Sequence, residues 1–325
     1  MSSFRRATSA AAPLRGTKPF INNQVLTSSG LREMDALLGG GLLLGSLTLL
    51  ESSCFGSYSA DLLRYFAAEG LANAHTVAAD SAVLESLPLE LSLAQKQVKA
   101  QVQSKLTIAW QYEKYSAEAP TSSSSSSAHR FCHSFDLSKP MASEMKETSV
   151  EISTLPGMAY RDVYLQLVSL LDATPPNVVV RVALSDVGSP VIYSDVTNAA
   201  PLVQFLRAIK GLLHCHRHRL VCMMSIPLYL FPRSLAAQLR HIGDYAFEVS
   251  SFLGDLQQVP SELQEFSGLF CVHKLARLQS VTSHTLEHAQ LGIKRERRKL
   301  KLENLHLPPE GSRSQKQEKA VDLSF

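Results

Sequence analysis

The tightest constraint on the fold of this chain lies between residues 30 and 71. There a short amphipathic stretch, three consecutive glycines, an apolar run and a small-residue loop follow one another. Leu31, Met34, Leu37 and Leu38 sit at helical spacing, and Gly39-Gly40-Gly41 forbids the helix from continuing. The next run, Ser46-Leu47-Thr48-Leu49-Leu50-Glu51, is apolar without alternation and reads as a buried strand. Past a small-residue loop, Ser59 to Leu71 reads as a helix. A strand buried on both faces needs strands beside it and helices above and below, so this segment commits the chain to a layered α/β fold.

The remaining sequence repeats the theme. Strands are expected at Thr76–Ala79, Thr107–Tyr112, Asn177–Leu184, Arg219–Ile226 and Tyr245–Val249, and helices at Tyr160–Leu171, Ala200–Leu213 and Ser234–His241. Such alternation predicts a mostly parallel, twisted sheet with helices on both faces. Gly268–Leu278 and Leu291–Leu302 read as two longer edge strands, paired as an antiparallel ribbon near the C-terminus. Residues 1–19 have no apolar period and read as a disordered arm, 20–307 as one domain, and 308–325, from Pro308-Pro309 onward, as a disordered tail. The Ser-rich stretch 117–128 reads as a flexible insertion within the domain.

Composition narrows the function classes. With 45% hydrophobic and 19% charged residues over 325 positions, the chain is not a disordered protein. No signal-peptide pattern opens it, and its longest apolar stretch, around Gly41 to Leu50, is too short and glycine-rich to span a bilayer. The expectation is a soluble protein with no membrane association. Five cysteines are scattered without a C-x-x-C pair, which suggests neither a disulfide framework nor a zinc site. The net charge of +3 hides an asymmetry: Arg5, Arg6, Arg15 and Lys18 stand without an acid in the first twenty residues, and six bases face Glu296 between Lys294 and Lys301. The rest of the chain is net acidic, so only these two places are suited to meet phosphate.

In a parallel α/β sheet, ligands bind outside the carboxyl ends of the strands, which directs attention to the loop after Leu50. A P-loop there would read G-x-x-x-x-G-K-[ST], with glycines wrapping the phosphates, a lysine on the β/γ oxygens and a hydroxyl on Mg²⁺. This chain places Ser52 and Ser57 at the glycine positions, Tyr58 at the lysine position and Ser59 at the hydroxyl position. Only the last matches, so weak or absent phosphate binding is expected. Asp186 closes an apolar strand, as a Walker B acid does. His214-Cys215-His216-Arg217-His218 lies between a helix and a strand, where basic residues cap helix ends, and its arginine opposes a cation. Cys54 has no histidine partner in sequence. No catalytic residue, cofactor or metal is expected. The basic run Lys294, Arg295, Arg297, Arg298, Lys299 and Lys301 is an RNA-phosphate candidate, with a charge-protected edge strand as the competing reading. It lacks interleaved aromatics, which argues against single-strand base stacking.

The run Thr27-Ser28-Ser29-Gly30-Leu31-Arg32-Glu33-Met34-Asp35, Leu37-Leu38-Gly39-Gly40-Gly41 and Gly45-Ser46-Leu47-Thr48-Leu49-Leu50-Glu51 resembles the opening of RecA and KaiC-like ATPases. It is followed by Ala67-Ala68-Glu69-Gly70, Ile108-Ala109-Trp110-Gln111-Tyr112, Asp186-Val187-Gly188-Ser189-Pro190, Leu212-Leu213 and Leu305-His306-Leu307-Pro308-Pro309. With the degenerate P-loop, this order is similar to the PAXNEB family, the fourth subunits of the Elongator complex. The likeness runs from about Gly16 to Glu310, the serine insertion aside.

The resemblance implies a RecA-like fold without working Walker motifs, assembled with Elongator subunits five and six in a hetero-hexameric ring. It further implies association with the catalytic Elongator subunits, tRNA binding linked to nucleotide hydrolysis by the ring, and support of C5 modification of the wobble uridine. A cytoplasmic location, with nuclear presence open, accompanies it. A different class stays open beside it: a stand-alone KaiC or RecA-like ATPase that uses an unconventional nucleotide loop and acts on DNA. The Ser57-Tyr58 pair favours the first reading.

Overall fold

The computed structural model describes residues 14–91, 131–151, 160–190, 199–253, 259–260, 263–276 and 289–305. In chain order its elements are β1 (Thr17–Pro19), β2 (Val25–Thr27), α1 (Arg32–Leu37), β3 (Leu42–Leu43), β4 (Leu47–Ser52), α2 (Tyr58–Ala72), β5 (Thr76–Ala79), α3 (Ser81–Glu85), β6 (Pro88–Glu90) and β7 (Phe135–Pro140). They continue with β8 (Ser149–Glu151), α4 (Tyr160–Ala173), β9 (Val180–Leu184), α5 (Ala200–Cys215), β10 (Leu220–Ile226), α6 (Arg233–Ile242), β11 (Tyr245–Ser251), β12 (Gly268–Lys274), β13 (Gln290–Arg295) and β14 (Leu300–Asn304). Short 3₁₀ turns lie between some of them.

Among the described residues, nine strands form one sheet in the order β14-β13-β12-β11-β4-β10-β9-β5-β8. From β11 to β8 every pairing is parallel, and β12, β13 and β14 extend the β11 edge antiparallel. The expected mixed α/β architecture is therefore present. β4 lies between β10 and β11, which explains its unbroken apolar run: Leu47 and Leu49 enter one core while Leu50 enters the other. The first core packs α1, α2 and α3 on one face, and the second packs α4, α5 and α6 on the opposite face.

The glycine turn closes α1 as its sequence requires. Gly39, Gly40 and Gly41 all have positive φ, and a Cβ on Gly41 would stand 2.6 Å from the Thr27 carbonyl oxygen. A small sheet, β1-β2-β3, frames this turn.

One side chain on β9 breaks the apolar rule. Arg181 is fully buried, and its guanidinium donates to Ser28 O (2.8 Å), Phe66 O (3.1 Å), Thr27 Oγ1 (2.6 Å) and His75 Nδ1 (3.0 Å). It lies over the Phe66 ring, 4.9 Å from the centroid, and the carboxylates of Glu69 and Asp35 supply its counter-charge. Burial lowers its pKa to about 10, which leaves it charged at neutral pH. Asp35 accepts from Ser28 Oγ (2.5 Å), Ser29 N (2.7 Å) and Ser29 Oγ (2.6 Å), so the Ser-Ser-Gly motif folds around its carboxylate. Glu69 accepts from Asn73 Nδ2 (2.7 Å) and from His133 N and Nδ1 (both 2.9 Å).

Two boundaries differ from expectation. Part of the expected 1–19 arm is structured: Thr17–Pro19 pairs antiparallel with β2, and Arg15 O accepts from His75 Nε2 at 2.7 Å. Backbone hydrogen bonds hold this segment, so apolar periodicity could not reveal it. The run Leu291–Leu302 is two strands rather than one, because Glu296 N donates to Lys299 O (2.9 Å) and closes a hairpin where consecutive charges must stay in water. The Thr107–Tyr112 strand, the 117–128 insertion and the 308–325 tail lie outside the described residues.

Removing the Arg181 guanidinium leaves two buried carboxylates uncompensated. An Arg181→Leu variant should lose about 3–5 kcal/mol, read from its denaturant midpoint. His75 must be neutral to accept from Arg181, and burial lowers its pKa from 6.5 to about 3. The unfolded chain takes up this proton near pH 6.5 and the folded chain does not. His75 therefore stabilises fully above that pH and loses about 1.4 kcal/mol per unit as pH falls toward 3. A His75→Gln variant should lose less stability between pH 7.5 and pH 5 than the parent chain, measured by thermal melts.

Candidate functional site

The loop between β4 and α2 occupies the carboxyl edge of the central strand, where a nucleotide-binding α/β protein holds phosphate. Most of its side chains are engaged by the protein itself. Tyr58, at the lysine position, turns inward as part of the core, and its hydroxyl donates to Ser267 O at 3.2 Å. Ser59, at the hydroxyl position, is buried as well. Ser52 ends β4, and Ser57 precedes α2 without making a side-chain cap.

Gly56, at φ +89, presses against the end of β11, where a Cβ would meet Ser251 Cβ and Oγ at 2.8 Å. The Ser53 hydroxyl donates to Phe55 O, and Cys54 and Phe55 remain exposed. The field at the start of α2 is also already used. Asp61, buried in its first turn, accepts from Arg64 NH1 (3.0 Å) and Arg295 Nε (2.6 Å). A carboxylate at a helix N-terminus takes the electrostatic place a phosphate would fill.

Asp186 follows β9 at the same edge, with φ +46 and an exposed backbone position. Its N–H donates to Ser225 Oγ (2.8 Å), and the same hydroxyl stands 3.4 Å from its Oδ1. Desolvation raises its pKa, Ser225 lowers it, and Asp80 adds to the rise. Asp80 is consumed structurally, accepting from Val83 N (3.0 Å), Ser185 N (2.5 Å) and Ser185 Oγ (2.7 Å). Tyr229, exposed after β10, has a raised pKa, from desolvation first and then from the charges of Cys54 and Asp186. Residues of the loops after β4, β9 and β10 thus act on one another at this edge of the sheet.

Elsewhere, His214 and Cys215 end α5 and His216 is its C-cap, the capping role expected of that cluster. Glu51, Glu248 and His273 come within 4.8 Å of one another, which sequence spacing did not signal. Arg240 binds Glu51 through Nε and NH2, both at 2.5 Å, and a guanidinium there disfavours a metal cation. A shallow groove of about 330 Å³ between α5 and α6 is lined by Val203, Arg207, Ala237, Gln238, His241 and Ile242.

The basic run divides by geometry. Lys294 pairs with Glu303 (2.8 Å) and Glu265 (3.3 Å), Lys301 with Glu296 (2.5 Å), and Arg295 with Asp61. Arg297, Arg298 and Lys299 project from the β13–β14 turn, and among the described residues their one ion-pair approach is that of Arg298 Nε to Asp136 at 3.9 Å. Asp136 and its neighbour Lys139 belong to β7, far away in sequence, and no local pattern could have found them.

The sequence pattern of PAXNEB proteins matches residues 10–324 of this chain. The chain belongs to the PAXNEB family. Among its relatives is Elongator complex protein 4 of Danio rerio, 31% identical over 99% of this chain and 92% of the relative. The proteins of the same name in Xenopus laevis and Homo sapiens are 30% and 28% identical, covering 98% and 96% of this chain and 90% and 84% of their own lengths. Within this PAXNEB protein, the glycine-turn opening and the Ala-Ala-Glu-Gly segment converge on Arg181. Gly70 leaves the space its Cδ needs, since a Cβ there would stand 2.8 Å from it.

No helix among the described residues is long and apolar enough to cross a membrane. Because Tyr58 packs in the core, Tyr58→Lys should destabilise the fold by about 3 kcal/mol or more, whereas Tyr58→Phe should cost about 1 kcal/mol, both read from unfolding midpoints.

Proposed function

We propose that this protein is the fourth-subunit component of an Elongator complex, with a RecA-like fold that does not hydrolyse nucleotide in its own loop. It assembles with subunits five and six into a hetero-hexameric ring that joins the catalytic subunits, binds tRNA and supports C5 modification of the wobble uridine. It acts in the cytoplasm, with a nuclear fraction. PAXNEB membership and relatives named Elongator complex protein 4 support the complex. The central strand–loop–helix of a nine-stranded, mostly parallel sheet supports the RecA-like assignment.

The observation that carries the reading is Tyr58: the side chain standing where a phosphate-binding lysine would be is buried and bonded to Ser267. A protein that has given this position to its core contributes through interfaces. Asp61, buried in the first turn of the same helix and paired with Arg64 and Arg295, already occupies the electrostatic place of an anion there, against the stand-alone ATPase reading.

Coexpression with the two presumed ring partners, followed by mass determination and a tRNA titration, tests the proposal. A particle of six subunits that binds tRNA is expected. Magnesium-dependent micromolar ATP binding by the isolated chain, or a lone chain that ignores both partners, would overturn it.

A further inference from the structure

We infer that Lys139 of β7 and Arg297, Arg298 and Lys299 of the β13–β14 turn form one phosphate-contacting patch for double-helical RNA. The inference rests on the tRNA reading above and assigns its contact on this chain.

Three observations carry it. First, the ladder sorts the six bases of the linear run. Lys294 and Lys301 face each other across β13 and β14, each held by glutamate, and Arg295 turns toward Asp61 on α2. These three clamp the hairpin and are not free for phosphate. Arg297, Arg298 and Lys299 are exposed at its tip, and Arg297 and Lys299 make no ion pair among the described residues.

Second, the tip is anchored to a distant segment that adds charge. Leu137 N donates to Arg298 O at 2.8 Å, which docks β7 against the turn. Asp136, buried, receives Ser138 N (2.9 Å) and Ser138 Oγ (2.6 Å) and feels both Arg298 and Lys139. Burial alone would raise its carboxyl pKa, but Ser138 and then the two cations hold it below the usual range. Arg298, 3.9 Å from it, and exposed Lys139, three residues along β7, thus both lie within the field of this carboxylate. Four cations stand beside two acids, Asp136 and Glu296, and Glu296 is already engaged by Lys301.

Third, the chemistry of the surroundings favours a polyphosphate over a protein. The exposed large apolar side chains among the described residues are Ile21, Phe55, Val150, Leu165, Tyr229, Leu230 and Leu253, and none lies on β7, β13 or β14. Stable protein contacts centre on buried apolar or aromatic anchors, which this patch lacks. Single-stranded RNA would call for stacking aromatics. A patch of cations alone suits the regular phosphate backbone of an A-form helix, contacted without reading bases.

The test uses the assembled ring and a tRNA titration at several salt concentrations. Replacing Lys139, Arg297, Arg298 and Lys299 together by Ala should reduce the slope of log K against log salt by about 3, and weaken binding more than about tenfold near 0.1 M salt. A Lys294→Ala/Lys301→Ala ring should keep its slope near the parent value. Arg297→Lys/Arg298→Lys should also preserve it, because phosphate contact needs charge and not the guanidinium fork.

A parent ring that binds tRNA, with an unchanged slope in the fourfold variant, overturns this patch and leaves the tRNA reading standing. A parent ring that binds no tRNA overturns both. Loss of partner subunits from the fourfold variant, with the slope intact, makes the patch a protein contact and overturns the inference.

Discussion

The guanidinium of Arg181 holds the architecture together. It sits in the first core, on the strand that carries Asp186 at its end, and reaches residues of the β2–α1 connection, α2 and the turn before β5. A buried cation is tolerable only when paired and fully hydrogen-bonded. Asp35, Glu69 and neutral His75 meet that demand, and each is fixed by its own partners. Thr27, Ser28 and Asp35, from the run that opens the domain, are physically part of the setting of one buried cation.

The same economy governs the carboxyl edge of the sheet. In a phosphate-binding loop, backbone amides and a lysine are left open for a ligand. Here the equivalent groups are closed on the protein: Tyr58 on the core, Gly56 on Ser251, Asp61 on two arginines. What would be a ligand site has become a joint between α2, β11 and the antiparallel ribbon. The layered sheet does not depend on a ligand at this edge, because its hydrophobic faces pack without one.

Sequence reasoning reached the layered fold because nearly continuous apolar runs such as Leu47–Leu50 and Leu220–Ile226 leave few other solutions. It placed α2, α4, α5 and α6 within a residue or two. It passed over β1 and β8, short strands held by backbone pairing rather than by side-chain period. It read Leu291–Leu302 as continuous because the charged residues between hid a change of phase, from Leu291 and Ile293 to Leu300 and Leu302, which marks the turn. The basic run drew attention for its density, but its division into clamping and projecting residues depends on Asp61, Asp136, Glu265 and Glu303. Only the three-dimensional pairing brings those acids to it.

The reach of Arg181 also bears on how the chain is made. Its bonds to Ser28 and Thr27 span 153 and 154 residues of sequence. At about 5–20 residues per second, synthesis takes roughly 8–30 s to deliver the arginine after the motif it completes. Through that interval Asp35 and Glu69 have no cation to bury against, so the first core cannot close before Arg181 is made. The N-terminal half of the domain must wait, open to water and to chaperones, for a single residue beyond the middle of the chain.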